Sequence, residues 1–272
     1  MSVKDIYIMN LKKLKPTTNG TRHQLNIQKF LLSKSNRLVR SNFKNLKLCY
    51  GRSPQTGHIT AWHRGGGHKK LFRNIDFLNK DFCSINLVSF YDPNRTSFIF
   101  LNFDLKKKIF FQTLATNNLY PGSFIVCKSN FLELKLGYRT QIKNIPTGSL
   151  VHTLSLSEQS SGQYIRAAGT FGQIVQKDEN RAKVRLPSNK IVDVNVDSYV
   201  TLGVLSNPQH NLVYLGKAGR SRFLGRRPIV RGIAMNPVDH PHGGRTNGGR
   251  PSVTPWGLPT KGGFYLKKRK KN

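Results

Sequence analysis

Phe98-Ile99-Phe100-Leu101-Asn102-Phe103-Asp104-Leu105 places Ile99, Leu101, Phe103 and Leu105 on one parity and Phe98, Phe100, Asn102 and Asp104 on the other. A period of two is that of extended chain, whose successive side chains point to opposite faces, so the stretch predicts a β-strand. Similar short runs recur at 84–91, 107–115 and 123–127, separated by Asp92-Pro93-Asn94 and Tyr120-Pro121-Gly122, which carry turn chemistry. With a pattern that turns period-two from about Ile59, five short strands predict a small antiparallel barrel. A second set begins near Ser149: Ala182, Val184 and Leu186 alternate with Lys183 and Arg185, and Val192, Val194 and Val196 with Asp193 and Asn195. It predicts a second small barrel over roughly 145–215, making the chain mainly β.

Both flanks read differently. Residues 1–50 mix cations with scattered Leu, Ile and Phe; only 25–40 could hold a short helix, so this stretch reads as an arm that docks on a partner. After Gly216 the strand pattern stops, and Gly, Pro, Arg and His dominate up to Lys267-Lys268-Arg269-Lys270-Lys271. Such a tail buries too little apolar surface to order itself.

Charge narrows the function classes. The 272 residues carry 45 Lys and Arg against 12 Asp and Glu, a formal charge of +33. Residues 1–50 hold 11 basic and 1 acidic side chains, 51–215 hold 20 and 10, and 216–272 hold 14 and 1. A concentration of cations at both ends invites condensation on a polyanion, and nucleic acid is the leading partner. An anionic membrane would require a basic amphipathic helix or a lipid signature, and the sequence shows neither. No apolar run approaches the roughly 18 residues of a bilayer span, so membrane insertion is not expected. Cys49, Cys83 and Cys127 are odd in number and widely spaced, which fits a reducing compartment rather than a disulfide framework. Met1 to Lys15 lacks a secretory h-region and, with Asp5 present and Arg22 the first arginine, makes a poor organellar presequence.

Three motifs carry chemistry. In His63-Arg64-Gly65-Gly66-Gly67-His68-Lys69-Lys70 the glycines let backbone N–H groups approach a phosphate or ribose, while Arg64, Lys69 and Lys70 neutralise charge. The Walker and dinucleotide patterns are absent here, and a flexible surface turn is the bland alternative. His58, His63 and His68 have no Cys or carboxylate at ligand spacing, so no metal site is expected. Gly219-Arg220-Ser221-Arg222-Phe223-Leu224-Gly225-Arg226-Arg227 sets guanidinium forks around one aromatic ring, and no acid occurs from Gly216 through Val238. A merely solvated basic face would normally contain balancing carboxylates. Arg231 to Arg245, with Asn236, Pro237, Asp239, His240, Pro241 and His242, has too many prolines and glycines for regular structure and predicts an imposed extended path. Asp239 beside His240 suggests part of a hydrolytic triad, but adjacent residues in extended chain point apart and no G-x-S-x-G elbow accompanies them. For His240 and His242, hydrogen bonding to RNA competes with a packed or solvent-facing imidazole.

At these residues the chain resembles the universal ribosomal family of large ribosomal subunit protein two, from near Lys15 almost to the C-terminus. The resemblance rests on Lys15-Pro16-Thr17-Thr18, His63 to Lys69, Tyr91-Asp92-Pro93-Asn94-Arg95, Ile145-Pro146-Thr147-Gly148 and Val151-His152. It continues through Arg166-Ala167-Ala168-Gly169-Thr170, Val184 to Ser188, Lys217-Ala218-Gly219, Arg231 to Gly244, Pro255-Trp256-Gly257 and Pro259-Thr260-Lys261-Gly262. It implies a basic N-terminal arm over 1–50, an OB-fold barrel over 51–128, an SH3-like barrel over 129–215 and an RNA-threading extension over 216–272. It implies a structural, non-enzymatic constituent of the large ribosomal subunit that supports translation, with no cofactor beyond any structural magnesium of the RNA. Expected partners are large-subunit rRNA, neighbouring ribosomal proteins and the small subunit across an intersubunit bridge. Besides the motif residues already quoted, Arg52, Arg73, Arg95, Arg166, Lys217 and Lys261 become expected RNA contacts, and the segment holding Asn236, Asp239, His240 and His242 is expected near the peptidyl transferase region.

Two departures stand out. Trp62 occupies a position where a basic residue is common, and Arg245-Thr246-Asn247-Gly248-Gly249 replaces a Gly-Glu-Gly-like sequence of bacterial members. Enrichment in Phe, Asn, Ile and Lys suggests an AT-rich genome, and an organellar, mitochondrially encoded member would need no presequence; the mitochondrial matrix is expected ahead of plastid or bacterial cytoplasm. Two other classes stay open: an enzyme using Asp239 and His240 as an acid–base pair, and a free RNA-binding module that cycles on and off its target.

Overall fold

The computed structural model describes residues 11–28, 32, 43–45, 51–77, 81–128, 133–245 and 251–260. By internal contacts the chain divides into two compact units, one of residues 1–48 and 68–220, the other of 49–67 and 221–272. Residues 51–67, which the sequence groups with the first barrel, therefore associate with the C-terminal stretch.

In the first unit, β1 (Leu11–Lys13) pairs with β2 (Leu25–Ile27), and β3 (Phe43–Asn45) with β4 (Leu71–Arg73). The helix suggested over 25–40 does not begin where expected, since Leu25–Ile27 is a strand; residues 29–31 and 33–40 lie outside the described residues. The decisive stretch becomes β6 (Ile99–Asp104), flanked by β5 (Phe82–Phe90) and β7 (Phe110–Leu114), with β8 (Phe124–Cys127) on the far side of β5. Both parities of β6 are covered. Ile99 and Leu101 pack with Ile75, Phe90, Leu114 and Leu205, while Phe100 packs with Ala115 and Ile125. Its buried polar residues are partly matched: the Asn102 side-chain amide donates to Thr113 Oγ1 at 2.7 Å while its Oδ1 has no partner, and Asp104 Oδ1 accepts the Lys106 amide at 2.9 Å, closing the turn to β7.

The second barrel comprises β9 (Arg139–Gln141), β10 (Leu150–His152), β11 (Gly172–Lys177), β12 (Arg181–Arg185), β13 (Ile191–Asn195) and β14 (Tyr199–Leu202). The predicted alternation sets the register of its hairpin, with Ala182 opposite Val194 and Val184 opposite Val192. Ala182, Val184 and Val194 join Ile142, Val151, Leu154, Ile174 and Val200 in one core. Cys127 of β8 and Arg139 of β9 pair in parallel, so ten strands run in one hydrogen-bonded order from β13 to β7.

Beside that junction lies a buried polar node. The Arg139 guanidinium donates to the Thr153 carbonyl at 2.9 Å and Thr201 Oγ1 at 3.1 Å. His152 bonds Thr116 Oγ1 through Nε2 and Thr153 Oγ1 through Nδ1, both at 2.9 Å. Thr116 and His152 belong to different barrels, so this bond ties them directly. Burial brings Arg139 down to about 10, and burial together with the Arg139 charge brings the His152 imidazole down to about 3.

In the second unit the expected strand pattern at Ile59 reduces to a single bridge with Arg52, because Pro54 and the left-handed Gly57 (φ 69°) make this a turn. The stretch after Gly216 holds more local structure than its composition suggests: a short helix, α1 (Ala218–Phe223), and a 3-10 turn at Gly232–Ala234. Its order comes from backbone hydrogen bonds rather than a core, since Ile229, Ile233 and Val238 remain exposed.

The node sets a pH response. Because the folded His152 stays neutral down to about 3 while an unfolded histidine takes a proton near 6.5, its contribution to stability is complete above 6.5. That contribution is lost progressively as pH drops from 6.5 towards 3. Denaturant midpoints should fall as pH drops through this range, and should fall less in His152→Gln.

Candidate nucleic-acid interface

The parts of the two basic motifs that lie in the second unit, 63–67 and 221–227, pair with each other. Arg64 and Arg226 form an antiparallel bridge; the Gly65 amide donates to the Gly225 carbonyl at 3.0 Å, and the Arg227 amide to the His63 carbonyl at 2.9 Å. His63 Nδ1 adds a bond to the Pro228 carbonyl at 3.1 Å. The close approach requires glycine at position 67: φ is +98°, and a Cβ there would lie 2.9 Å from Gly225 N and 3.0 Å from the Phe223 carbonyl oxygen. Arg64 and Arg226 are thus held opposite each other with Arg227 next in the chain; all three are exposed, and among the described residues they form no ion pair. Like charges so arranged repel unless an anion lies over them. His68, Lys69, Arg222 and Arg231 are exposed as well.

A second loop is built around His240. Its imidazole is buried, so closely packed on Gly232 that a Cβ at that glycine would come 2.6 Å from Nδ1. Nδ1 accepts the His242 amide at 3.0 Å, which leaves the ring proton on Nε2. His242 Nε2 sits 3.0 Å from the Pro251 carbonyl and 3.2 Å from the Val253 amide, donating to one or accepting from the other according to its tautomer. Asn236, Asp239 and Val238 are exposed at the turn, with Val238 at 90%. Asp239 faces solvent while His240 is turned inward, so the adjacent pair does not form a dyad.

Other expected RNA contacts have internal partners in the first unit. Arg73 is buried and donates to the Leu71 carbonyl at 2.9 Å, with Asp92 at 3.6 Å; burial lowers its pKa. Arg95 Nε donates to Asp92 Oδ2 at 2.7 Å. Arg95 and Arg166 lie over the Phe77 ring, 5.9 and 5.0 Å from its centroid. Arg220 donates to Asn26 Oδ1 at 3.1 Å, and the Lys217 stem packs at Gly20. In the second unit Arg52 donates to the Gly57 carbonyl at 3.0 Å. Lys70 is half-buried, Arg245 is exposed, and Lys261 lies outside the described residues. The sequence marks Asp92 as a turn residue but not as a partner for two arginines, and it does not mark Phe77 at all. The Asp92-Pro93-Asn94 signal was present, since Asp92 Oδ1 accepts the Asn94 amide at 2.9 Å, but nothing local marked Phe77 as a seat for two guanidinium groups.

Comparison with known proteins decides the family. The model for the RNA binding N-terminal domain of ribosomal proteins L2 matches residues 37–127, and that for the L2 C-terminal domain matches residues 135–257. The chain belongs to the ribosomal protein L2 family. It is 43% identical over 270 residues to large ribosomal subunit protein uL2m of Reclinomonas americana, covering 97% of this chain and 96% of that protein. It is 44% identical over 269 residues to the uL2 proteins of Rickettsia felis and Rickettsia massiliae, with the same coverage. The two β-halves are accordingly the OB-fold and SH3-like barrels of this family, flanked by irregular basic extensions.

The glycine run supports a direct check on the paired ribbon. Gly66→Ala meets nothing within 4 Å and should cost only its left-handed backbone, about 1–2 kcal/mol. Gly67→Ala should destabilise the chain more, because a similarly left-handed backbone is joined by backbone atoms of Gly225 and Phe223 at 2.9–3.1 Å from the added methyl group. Urea denaturation of the two variants separates these outcomes.

Proposed function

We propose that this chain is a structural constituent of the large ribosomal subunit that binds large-subunit rRNA, and is not an enzyme. The observation that carries the reading is the backbone-locked row Arg64, Arg226 and Arg227, whose exposed cations lack carboxylate partners among the described residues. Membership of the L2 family and the names of its relatives point the same way. Arginines whose backbone is fixed by hydrogen bonds gather positive charge at one place on the surface, which supplies affinity for phosphates, while glycine loops allow close fit. The inward turn of His240, with Nδ1 already occupied, argues against acid–base chemistry with Asp239.

The functional division we infer is an arm over 1–50, an OB-fold RNA-binding domain over 51–128 whose residues 51–67 associate with the C-terminal stretch, an SH3-like domain over 129–215 and an extension over 216–272 that threads into rRNA. The exposed turn at Asn236–Asp239 is the part we place towards the peptidyl transferase region, with His240 shaping the loop from within. Neighbouring ribosomal proteins and the small subunit are the further partners, and the chain supports assembly and subunit association. Any magnesium at the interface belongs to the RNA. For compartment we infer the mitochondrial matrix, supported by the uL2m relative; near-equal identity to the Rickettsia proteins keeps the bacterial cytoplasm as the second reading.

The double variant Arg226→Ala, Arg227→Ala tests the role of the row. Binding of large-subunit rRNA, titrated with salt, should weaken and lose about 1.5 from the slope of log affinity against log salt if two phosphate contacts disappear. An unchanged slope would remove these residues from the interface.

A further inference from the structure

The chain's two tryptophans, 194 positions apart in sequence, meet in the second unit: the ring centroids of Trp62 and Trp256 are 6.3 Å apart and the planes cross at 75°. We propose that this pair is a stacking site for an unpaired nucleobase of the bound RNA, a reading that rests on the RNA-binding function above.

Each indole is placed by a turn of its own. Trp256 sits at the tip of a hairpin in which the Thr254 amide donates to the Leu258 carbonyl at 2.7 Å and the Gly257 amide to the Thr254 carbonyl at 2.9 Å, with Gly257 at φ 79°. Trp62 follows a turn in which the Gly51 carbonyl accepts the Thr60 and Ala61 amides at 2.9 and 3.1 Å. Tryptophan is on average highly buried, because its large apolar area is costly to leave in water. Here Trp62 is 46% and Trp256 69% exposed. In an edge-to-face pair one ring offers only its rim, so both of its faces lie clear of the other ring. Two turns therefore hold aromatic faces open to solvent, which a role in packing alone does not require.

The surroundings select the occupant. Neither 49–67 nor 251–260 contains an Asp or Glu, and Trp62 is followed by His63 and Arg64, the start of the cationic row. His63 leans on Trp62, with rings 6.4 Å apart. An aromatic face next to exposed arginines matches a base and its flanking phosphates, the combination by which single-stranded RNA is held. An apolar protein neighbour would match the indoles but would leave the adjacent cations unpaired.

Because both tryptophans lie at the site, emission of the full chain excited beyond the absorption of its tyrosines reports on it alone. A short single-stranded RNA should quench that emission, whereas an abasic ribose-phosphate strand of equal length and charge should bind without quenching. By anisotropy of the end-labelled strands, Trp62→Leu and Trp256→Leu should each weaken RNA binding roughly tenfold and leave the abasic strand unaffected. Trp62→Phe and Trp256→Phe should restore most of the loss, which separates stacking from a folding defect. Equal quenching by both strands, or equal affinities of the Leu and parent chains, would overturn the proposal and favour a protein neighbour over the indoles. If neither strand binds, the RNA-binding reading itself fails and takes this site with it.

Discussion

The structure depends on how a chain with 12 acids and 45 bases holds cations together against their own repulsion. In the first unit two buried acids build the fold: Asp92 takes both Arg73 and Arg95, and Asp104 closes the turn after β6. The second unit has no such resource. Its only acid among the described residues is Asp239, so the Gly65–Gly225 and His63–Arg227 backbone bonds, rather than ion pairs, keep Arg64, Arg226 and Arg227 in register. The repulsion left over is relieved when a polyanion binds, and in this sense the surface is complete only with its partner.

The barrels were legible in the sequence wherever one face of a strand is apolar. Ala182, Val184 and Val194 announce their hairpin through strict alternation, and β5 to β8 appear within a few residues of the predicted runs. The pattern fades where backbone pairing replaces side-chain burial. Residues 51–67 and 221–245 lack a period because glycine, proline and arginine bury little, yet they pair through N–H and carbonyl groups that leave no pattern in side chains.

The candidate site was legible as a set of motifs but not as an arrangement. The basic glycine runs at 63–70 and 219–227 were identified separately; that they face each other depends on a contact across about 160 residues, which no local signal encodes. Chemistry alone could not sort the arginines either. Arg73 and Arg95 turn to Asp92, and Arg166 lies on Phe77, whereas Arg64 and Arg226 remain outward. Buried and exposed guanidinium groups look identical in sequence, and only the location of the carboxylates and rings distinguishes a cation that builds the fold from one offered to a ligand.

As proposed, the chain is a permanent part of a large ribosomal subunit, not a factor that visits it. The most direct measurement is sedimentation of lysate from fractionated organelles through a high-salt gradient, with this chain followed by mass spectrometry. Stable migration with the large subunit is the predicted result, and the fraction that contains it names the compartment. Release as free protein under conditions that leave other large-subunit proteins in place would contradict the account.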